Sequence, residues 1–452
     1  MLTVADIVHY AKGHLLQGNL QKHVVSVSTD TRTLKKGSLF VALKGKNFDG
    51  HKFIHKAIQK GATALLVSEK VTVLSNAIAV ICTADTLKAY GDLARGYRER
   101  FSIPVIAITG SVGKTTTKEL VGAVLAKSFN LLKNYQTENN EIGVAKTLLN
   151  LCAKHQVAIL EFGTNHFGEI KRLTSMGEPT IAVLTNIGES HLEFLKNRQG
   201  VFKEKSDIFK TLTGKDHIVY NNDDDLLRTI SQRKIATRKV TFAIDRNARY
   251  QAANIIFGKK SLSFTVERQR FTLKTLSREN IYNALAAIAV GRLRGLSWQA
   301  IRWSLGRAEF PKGRQNICKV SGVWMIDDTY NANPTSVASA LRTLSRFSTK
   351  GKRFFVFADM RELGSISKQA HKRIGVLAAE HKVDFFFTYG SWSKESSKEA
   401  EKRGVLCFHG KTQEDIVSEV KKKIHPGDVV LVKGSRGMRM EKIVEKIKAF
   451  HF

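Results

Sequence analysis

PVIAITGSVGKTTTKE, residues 104–119, decides how the rest of this chain is read. An apolar run, VIAIT, breaks into a turn bracketed by Gly110 and Gly113 and passes through Lys114 and Thr115 into a segment of helical pattern. Glycines there let backbone N–H groups turn toward anionic oxygens, and the amines that open the following helix add positive potential. Lys114 can reach the terminal phosphates and Thr115 can ligate magnesium, so the stretch Gly110, Ser111, Val112, Gly113, Lys114, Thr115 and Thr116 predicts a cradle for ATP or a close relative. Ile108 stands where the commonest P-loop has its first glycine, which makes this a TGxxGKTT variant.

Outward from that turn, strand and helix alternate. VAILEFG at 157–163 and PTIAVLTNIG at 179–188 read as further strands, and SRENIYNALAAIAVGRLRG at 277–295 as a helix with an alanine-rich face. Apolar strands separated by helices predict a parallel sheet covered on both faces, with ligands at the carboxyl ends of its strands. Before Pro104, two short β-like runs, a helical DGHKFIHKAIQKGA, a strand TALLVSE and a charged helical tail from Ala89 to Arg100 form a smaller α/β unit. After the FPKGRQ turn at 310–315, which reads as a hinge, the alternation resumes through VWMIDDTYN, RFFVFADM, DFFFTYG and GDVVLVKGSRG. That portion resembles a dinucleotide-fold sheet but lacks G-x-G-x-x-G, so a nicotinamide cofactor is not indicated. The expectation is an α/β chain of three domains: a small α/β N-terminal domain at 1–100, a central P-loop parallel-sheet ATPase domain at 101–312 and a C-terminal Rossmann-like domain at 313–452.

Length and composition agree, since 452 residues divide into roughly three domains. Hydrophobic residues make up 42% and charged residues 25%, with five prolines, which excludes collagenous, mucin-like and linker-dominated classes. Cys82, Cys152, Cys318 and Cys407 are widely spaced and never paired as CxxC, so they read as reduced core thiols rather than a zinc knuckle or disulfide framework. No apolar run has the length of a membrane span, the first residues lack a signal-peptide core, and the expected address is the cytoplasm. A formal charge of +33 raises nucleic acid or an anionic membrane surface as partners. The basic residues are dispersed, with short patches such as Lys421-Lys422-Lys423, so a solvated basic surface is favoured; nucleic acid is the lesser reading and membrane-surface contact stays open.

An ATP site also needs metal ligands, and no apolar strand here ends in the Asp-Glu pair of helicase-type ATPases. Glu161, closing VAILEF at the sheet's carboxyl edge, offers a hard oxygen ligand. Alone, Glu161 is an ordinary strand-end charge, His191 an ordinary loop histidine, and Lys205, with its neighbour Lys203, a solvated lysine on the face of the KEKSDIF helix.

Eight motifs in order change that balance: TGSVGKTTTKE, EFGTNHFGEI, NIGESHLEFL, FKEKSDIF, RENIYNALAA, Gly313-Arg314, DDTYNANPTS and VKGSR. Together they resemble the Mur ligases, the ATP-dependent amide-forming enzymes of peptidoglycan synthesis, over essentially the whole chain. STDTR at 28–32, FVALKGKNFDGH at 40–51, DDTYNANP, DMRELG and the closing KGSR look like the MurF-type branch, which adds D-alanyl-D-alanine to a UDP-N-acetylmuramoyl-tripeptide. The resemblance implies jobs for residues. Glu161 and His191 would ligate a second magnesium beside the one on Thr115, and Lys205 matches a lysine that is carbamoylated into an anionic metal-supporting group. Asn280 and Asn283 would lie near the base, Arg314 would reach the γ-phosphate, and Asp328 would bond the ribose with Tyr330 and Asn331 beside it. Asn139 and Asn140 would contact the muramoyl substrate, and Ser28, Thr29, Asp30, Arg32 and Lys44 the uridine diphosphate end. Lys433, Ser435 and Arg436 would face the dipeptide, in an enzyme expected to be monomeric.

Gln136-Thr137-Glu138 stands where the family commonly has Gly-Asn, and Ala358 replaces a glycine before Asp359. Other readings weighed are an amino-acid-adding muramyl ligase, a folylpolyglutamate synthase-like ligase and, from a different class, a P-loop nucleic-acid-binding ATPase.

Overall fold

Val105–Thr109 is buried on both faces, and its side chains alternate between two cores. Val105 and Ala107 enter one hydrophobic cluster, Ile106 and Ile108 the other, as period-two side chains must in a sheet covered on both sides. The computed structural model describes residues 2–45, 48–73 and 75–450; Lys46 and Asn47 of the FVALKGKNFDGH motif lie outside them.

The central sheet is parallel and seven-stranded, in the order Leu131–Lys133, Val157–Glu161, Val105–Thr109, Ile181–Leu184, His217–Asn221, Arg238–Ala243 and Tyr250–Gln251. Three adjacent strands therefore end side by side at Glu161, at Thr109 before the glycine turn, and at Leu184 before the 185–191 loop. The first domain carries a five-stranded mixed sheet in the order His14–Gln17, Ala79–Cys82, Ala64–Val67, Leu39–Val41 and Val27–Ser28. The last carries a six-stranded sheet in the order Asn316–Val320, Val323–Asp328, Val429–Lys433, Arg353–Ala358, Phe385–Tyr389 and Leu406–Gly410, parallel except at its first strand. The three-domain α/β architecture is thus the one the alternation of strand and helix predicts.

Four features differ from the sequence reading. A three-stranded antiparallel sheet, Ala253–Phe257, Leu262–Val266 and Gln269–Leu273, is added to the central domain. Its last hairpin turns on Glu267 and Arg268, both left-handed at φ +45° and +65°, so the usual Asn-Gly signal of such a turn is missing. The strand Asn316–Val320 likewise returns through Ser321-Gly322. The helix Glu279–Leu293 is not one-faced: Asn280, Ile281 and every residue from Asn283 to Gly291 are buried, between the P-loop helix and the sheet. Finally, Cys152 is exposed and the other three cysteines half-buried, so the thiols are free but not core residues.

The basic patches are partly neutralised where they stand. Lys422 and Lys423 pair with Glu419 in the last turn of a helix, where cations also suit its dipole, and Arg436 pairs with Glu441. Among the described residues, no helix is long and apolar enough to cross a membrane.

The joins between domains are unequal. The helix Thr86–Glu99 packs on Glu141–Leu148 and Glu169–Gly177, and its Ala89, Tyr90, Leu93 and Ala94 share one continuous core with Val144, Leu148, Leu173 and Met176. Buried Arg98 fastens that join by donating to the carbonyls of Gly177, Phe101 and Ile103 at 3.3, 2.7 and 3.2 Å. The C-terminal sheet instead has separate cores on its two faces, which take only Leu276 from the central domain. Replacing Arg98 with alanine leaves three carbonyls without this donor. It is expected to cost about 2–4 kcal/mol of stability, read by denaturant unfolding of wild type and variant.

Candidate active site

The glycine turn has no room for side chains. A Cβ on Gly110 would lie 1.9 Å from Thr185 Oγ1, and one on Gly113, at φ +87°, would lie 2.4 Å from Asn283 Oδ1. The turn is tied to the neighbouring strand's loop: Ser111 N donates to Asn186 O, Val112 N to Asn186 Oδ1 and Gly188 N to Ser111 Oγ. Helix Lys114–Leu125 starts at Gly113, and the first amides of a helix lack intrahelical acceptors. They open onto a cleft of about 490 Å³ between the central and C-terminal domains.

Ser111, Val112, Gly113, Lys114, Thr115, Thr116, Asn139, Glu161, His191, Asn280, Asn283, Arg314, Asp328, Asn331, Lys433, Ser435 and Arg436 all line this cleft. Lys114 Nζ is folded over the turn, donating to Gly110 O at 2.8 Å. Arg314 crosses from the C-terminal side, donating to Thr115 Oγ1 at 2.9 Å with its guanidinium 4.1 Å from the centre of the Tyr330 ring. Thr117 Oγ1 donates to Asn283 Oδ1 and Asn283 Nδ2 to Asn280 Oδ1, so the two asparagines are a fixed pair behind the turn.

Glu161 is almost fully buried. Its Oε1 accepts from Asn139 Nδ2 at 2.8 Å, and its buried Oε2 has no hydrogen-bond donor. Lys118, one turn beyond Lys114, places its amine 3.6 Å from that oxygen while donating to the carbonyls of Asn134 and Gln136 at 2.9 and 2.5 Å. The sequence reading missed Lys118. Its four-residue spacing from Lys114 on one helix was the available signal.

Lys205 is fully buried and its Nζ has no hydrogen-bond partner, whereas Lys203 is exposed. Burial, with repulsion from Lys114, drives the Lys205 amine well below its ordinary lysine value, and Glu204 offsets only part of this. Burial also lowers Lys114 and Lys118, in each case against the attraction of Glu161. His191, left-handed at φ +54°, places Nδ1 2.7 Å from Oε2 of Glu362 on the C-terminal domain, close enough for an ion pair but not aligned as a hydrogen bond, so that this buried nitrogen has no hydrogen-bond partner. Burial lowers the His191 pKa, while the histidine holds the Glu362 carboxyl below its usual range.

Several residues have partners that narrow their roles. Lys433 Nζ donates to Asp328 Oδ2 at 2.6 Å and to Asn331 O at 2.9 Å, and both members of the ion pair are buried. Burial raises the Asp328 pKa, and Lys433 opposes the rise. Asn140 caps helix Glu141–Leu148 by accepting from Gly143 N, which explains that side chain without a ligand. Asp30 and Arg32 form a two-pronged ion pair on the first domain, Lys44 pairs with Glu69, and Ser28 bonds to the backbone of Asp30. These residues and Thr29 lie outside the cleft.

Family models match in chain order: "Mur ligase family, catalytic domain" over 23–97, "Mur ligase middle domain" over 108–291 and "Mur ligase, glutamate ligase domain" over 313–436. The chain belongs to the Mur ligase family. A Bacillus subtilis relative named UDP-N-acetylmuramoyl-tripeptide--D-alanyl-D-alanine ligase is 34% identical, with 98% of each chain covered. A crystal structure of MurF from Acinetobacter baumannii superposes with TM-score 0.91 at 29% identity over 99% of each chain. A second, MurF ligase from Thermotoga maritima in complex with ADP, gives 0.84 at 28% identity over 94% of this chain and 97% of that one. Within the Mur ligase family the likeness is thus to the MurF type.

The turn itself supplies a test. Gly113→Ala introduces both a strained φ and the contact with Asn283. Calorimetric titration with a non-hydrolysable ATP analogue is expected to show binding weakened at least tenfold, while circular dichroism shows the fold retained.

Proposed function

We propose that this Mur ligase is an ATP-dependent, ADP-forming amide ligase that joins D-alanyl-D-alanine to a UDP-N-acetylmuramoyl-tripeptide in peptidoglycan precursor synthesis. The carrying observation is the cleft: a glycine cradle with Lys114 on one side, and on the other a domain that reaches across with Arg314. Relatives bearing the corresponding name, aligned over nearly the whole chain, support the same reading.

In this reading, residues 1–100 hold the uridine diphosphate end through the Ser28 to Arg32 and Lys44 region, residues 101–312 hold ATP, and residues 313–452 hold the incoming dipeptide. The first amides of the P-loop helix and Lys114 bind the phosphates. Asn280, Asn283, Asp328 and Asn331 surround the nucleoside, and Asn139 faces the muramoyl peptide. A carboxylate oxygen of the tripeptide attacks the γ-phosphorus of ATP, ADP leaves, and an acyl phosphate forms. The free amine of the dipeptide then displaces inorganic phosphate and releases a proton, leaving the amide. A carboxylate is a poor electrophile, and phosphorylation gives its carbon a good leaving group. Lys114 and Arg314 neutralise charge on the transferring group, as phosphoryl transfer requires. Closure of the C-terminal domain excludes water from the acyl phosphate. Because Lys433 is buried and held by Asp328 and Asn331, whereas Arg436 is exposed and its pairing with Glu441 is open to solvent, Arg436 is the KGSR cation assigned to the dipeptide's carboxylate, and Ser435 fixes its loop.

Two magnesium ions fit the donors present. Thr115 would hold one, and Glu161, whose Oε2 is buried without a donor, would hold the other with His191. Bound there, magnesium would supply Lewis-acid neutralisation of phosphate oxygens. The environment of Lys205 suits carbamoylation. A desolvated amine is neutral and nucleophilic; it adds to carbon dioxide and loses a proton, and the resulting carbamate is an anion beside Lys114. The enzyme is proposed to act as a monomer in the cytoplasm.

Lys114→Ala is expected to lower kcat at least a hundredfold, measured as phosphate and pentapeptide formed from magnesium-ATP, UDP-muramoyl-tripeptide and D-alanyl-D-alanine. Lys205→Gln keeps an uncharged polar side chain, one atom shorter, that cannot be carbamoylated, and is expected to fall by a similar factor with a normal melting temperature. Near-normal turnover by either variant contradicts the role given to it.

A further inference from the structure

Glu362 stands outside every role assigned above, yet from the C-terminal domain it brings a carboxylate to within 2.7 Å of His191, a proposed metal ligand of the central domain. Its loop is anchored in the C-terminal domain on both sides. Met360 N donates to His371 Nε2 at 2.9 Å, Arg361 N donates to Ser435 Oγ at 2.8 Å, and Leu363 is buried in the domain's core. Between these anchors Glu362 adopts a left-handed φ of +64° and His191 opposite one of +54°. Non-glycine residues pay about 1 kcal/mol or more for that region and hold it where surrounding contacts fix them. The two loops also meet at the backbone. Glu193 N points to Glu362 O at 3.5 Å, and Gly364 lies so close that a Cβ there would be 3.4 Å from Glu193 Cα.

Resting on the reading of His191 as a metal ligand, we propose that Glu362 is a positioning residue, which on closure of the C-terminal domain accepts Nδ1–H of His191 and so presents Nε2 to magnesium. A ligating histidine gains orientation and a fixed tautomer when its other ring nitrogen donates to a carboxylate. Here the carboxylate arrives from the domain proposed to carry the dipeptide, so the metal site is complete only in the closed enzyme. The acyl phosphate then forms chiefly when the domain carrying its acceptor is already in place.

Manganese titration followed by electron paramagnetic resonance, with a saturating non-hydrolysable ATP analogue on the full chain, tests this without turnover. Glu362→Ala is expected to weaken the second manganese about tenfold at an unchanged melting temperature, with Glu362→Gln, which keeps an acceptor, intermediate. In a His191→Ala background the same change is expected to have no further effect. Wild-type manganese affinity in Glu362→Ala, with weakened affinity in His191→Ala, overturns the proposal and leaves the ligand reading standing. An equal loss in the His191→Ala background also overturns it, because the effect would then bypass the histidine. Unaltered binding in His191→Ala itself removes the ligand reading and the proposal with it.

Discussion

Buried positive charge governs this molecule. Lys114 and Lys118 are drawn by one buried carboxylate, Glu161, and Lys205 by another, Glu204, yet burial pushes all three amines below their ordinary values. Carrying cations out of water costs several kcal/mol each unless anions or acceptors compensate. Lys118 is compensated inside the protein by two carbonyls and the glutamate. Lys114 has one carbonyl of its own loop, and Lys205 has no hydrogen-bond partner. The deficit lies at the mouth of a glycine turn, which is where a triphosphate would remove it. Lys205, left without an acceptor, is the lysine proposed to be carbamoylated, which would turn it into an anion.

The joins between domains determine what can move around that centre. The first domain is welded to the second through the helix Thr86–Glu99 and Arg98, with one core running through both. The last keeps its own cores and meets the others chiefly through polar contacts across the cleft: Arg314 with Thr115, Arg342 with Glu279, and Glu362 with His191. Exposed polar contacts form and break at small net cost, whereas a shared apolar core does not separate without exposing it. Two domains sharing one core, with a third held mainly by polar contacts, suit the proposed reaction, whose intermediate must be shielded from water between two chemical steps.

Much of this was legible in the residues, for reasons that differ by region. Strands buried on both faces, such as VIAIT and RFFVF, are continuous apolar runs, and the two glycines of the cradle are required by contacts of 1.9 and 2.4 Å, so that segment announces itself. The hairpin at 262–273 was hidden because Glu267 and Arg268 occupy left-handed positions usually marked by Asn-Gly. Gln136 is a similar case, with φ +43° where the family commonly has Gly-Asn nearby. Lys203 and Lys205 could be separated only by the packing of their helix, which buries one and exposes the other. Glu362 and Lys433 were recognisable as parts of motifs, but their partners, His191 and Asp328, lie about a hundred residues or more away in sequence. Local pattern carries no information about such pairings.

The central claim is that ATP activates a carboxylate by phosphorylating it in this cleft. It is tested most directly by labelling the tripeptide's reacting carboxylate with heavy oxygen and examining the inorganic phosphate released by mass spectrometry. The account predicts that one labelled oxygen passes from the carboxylate into each phosphate. Amide formation accompanied by wholly unlabelled phosphate would contradict it.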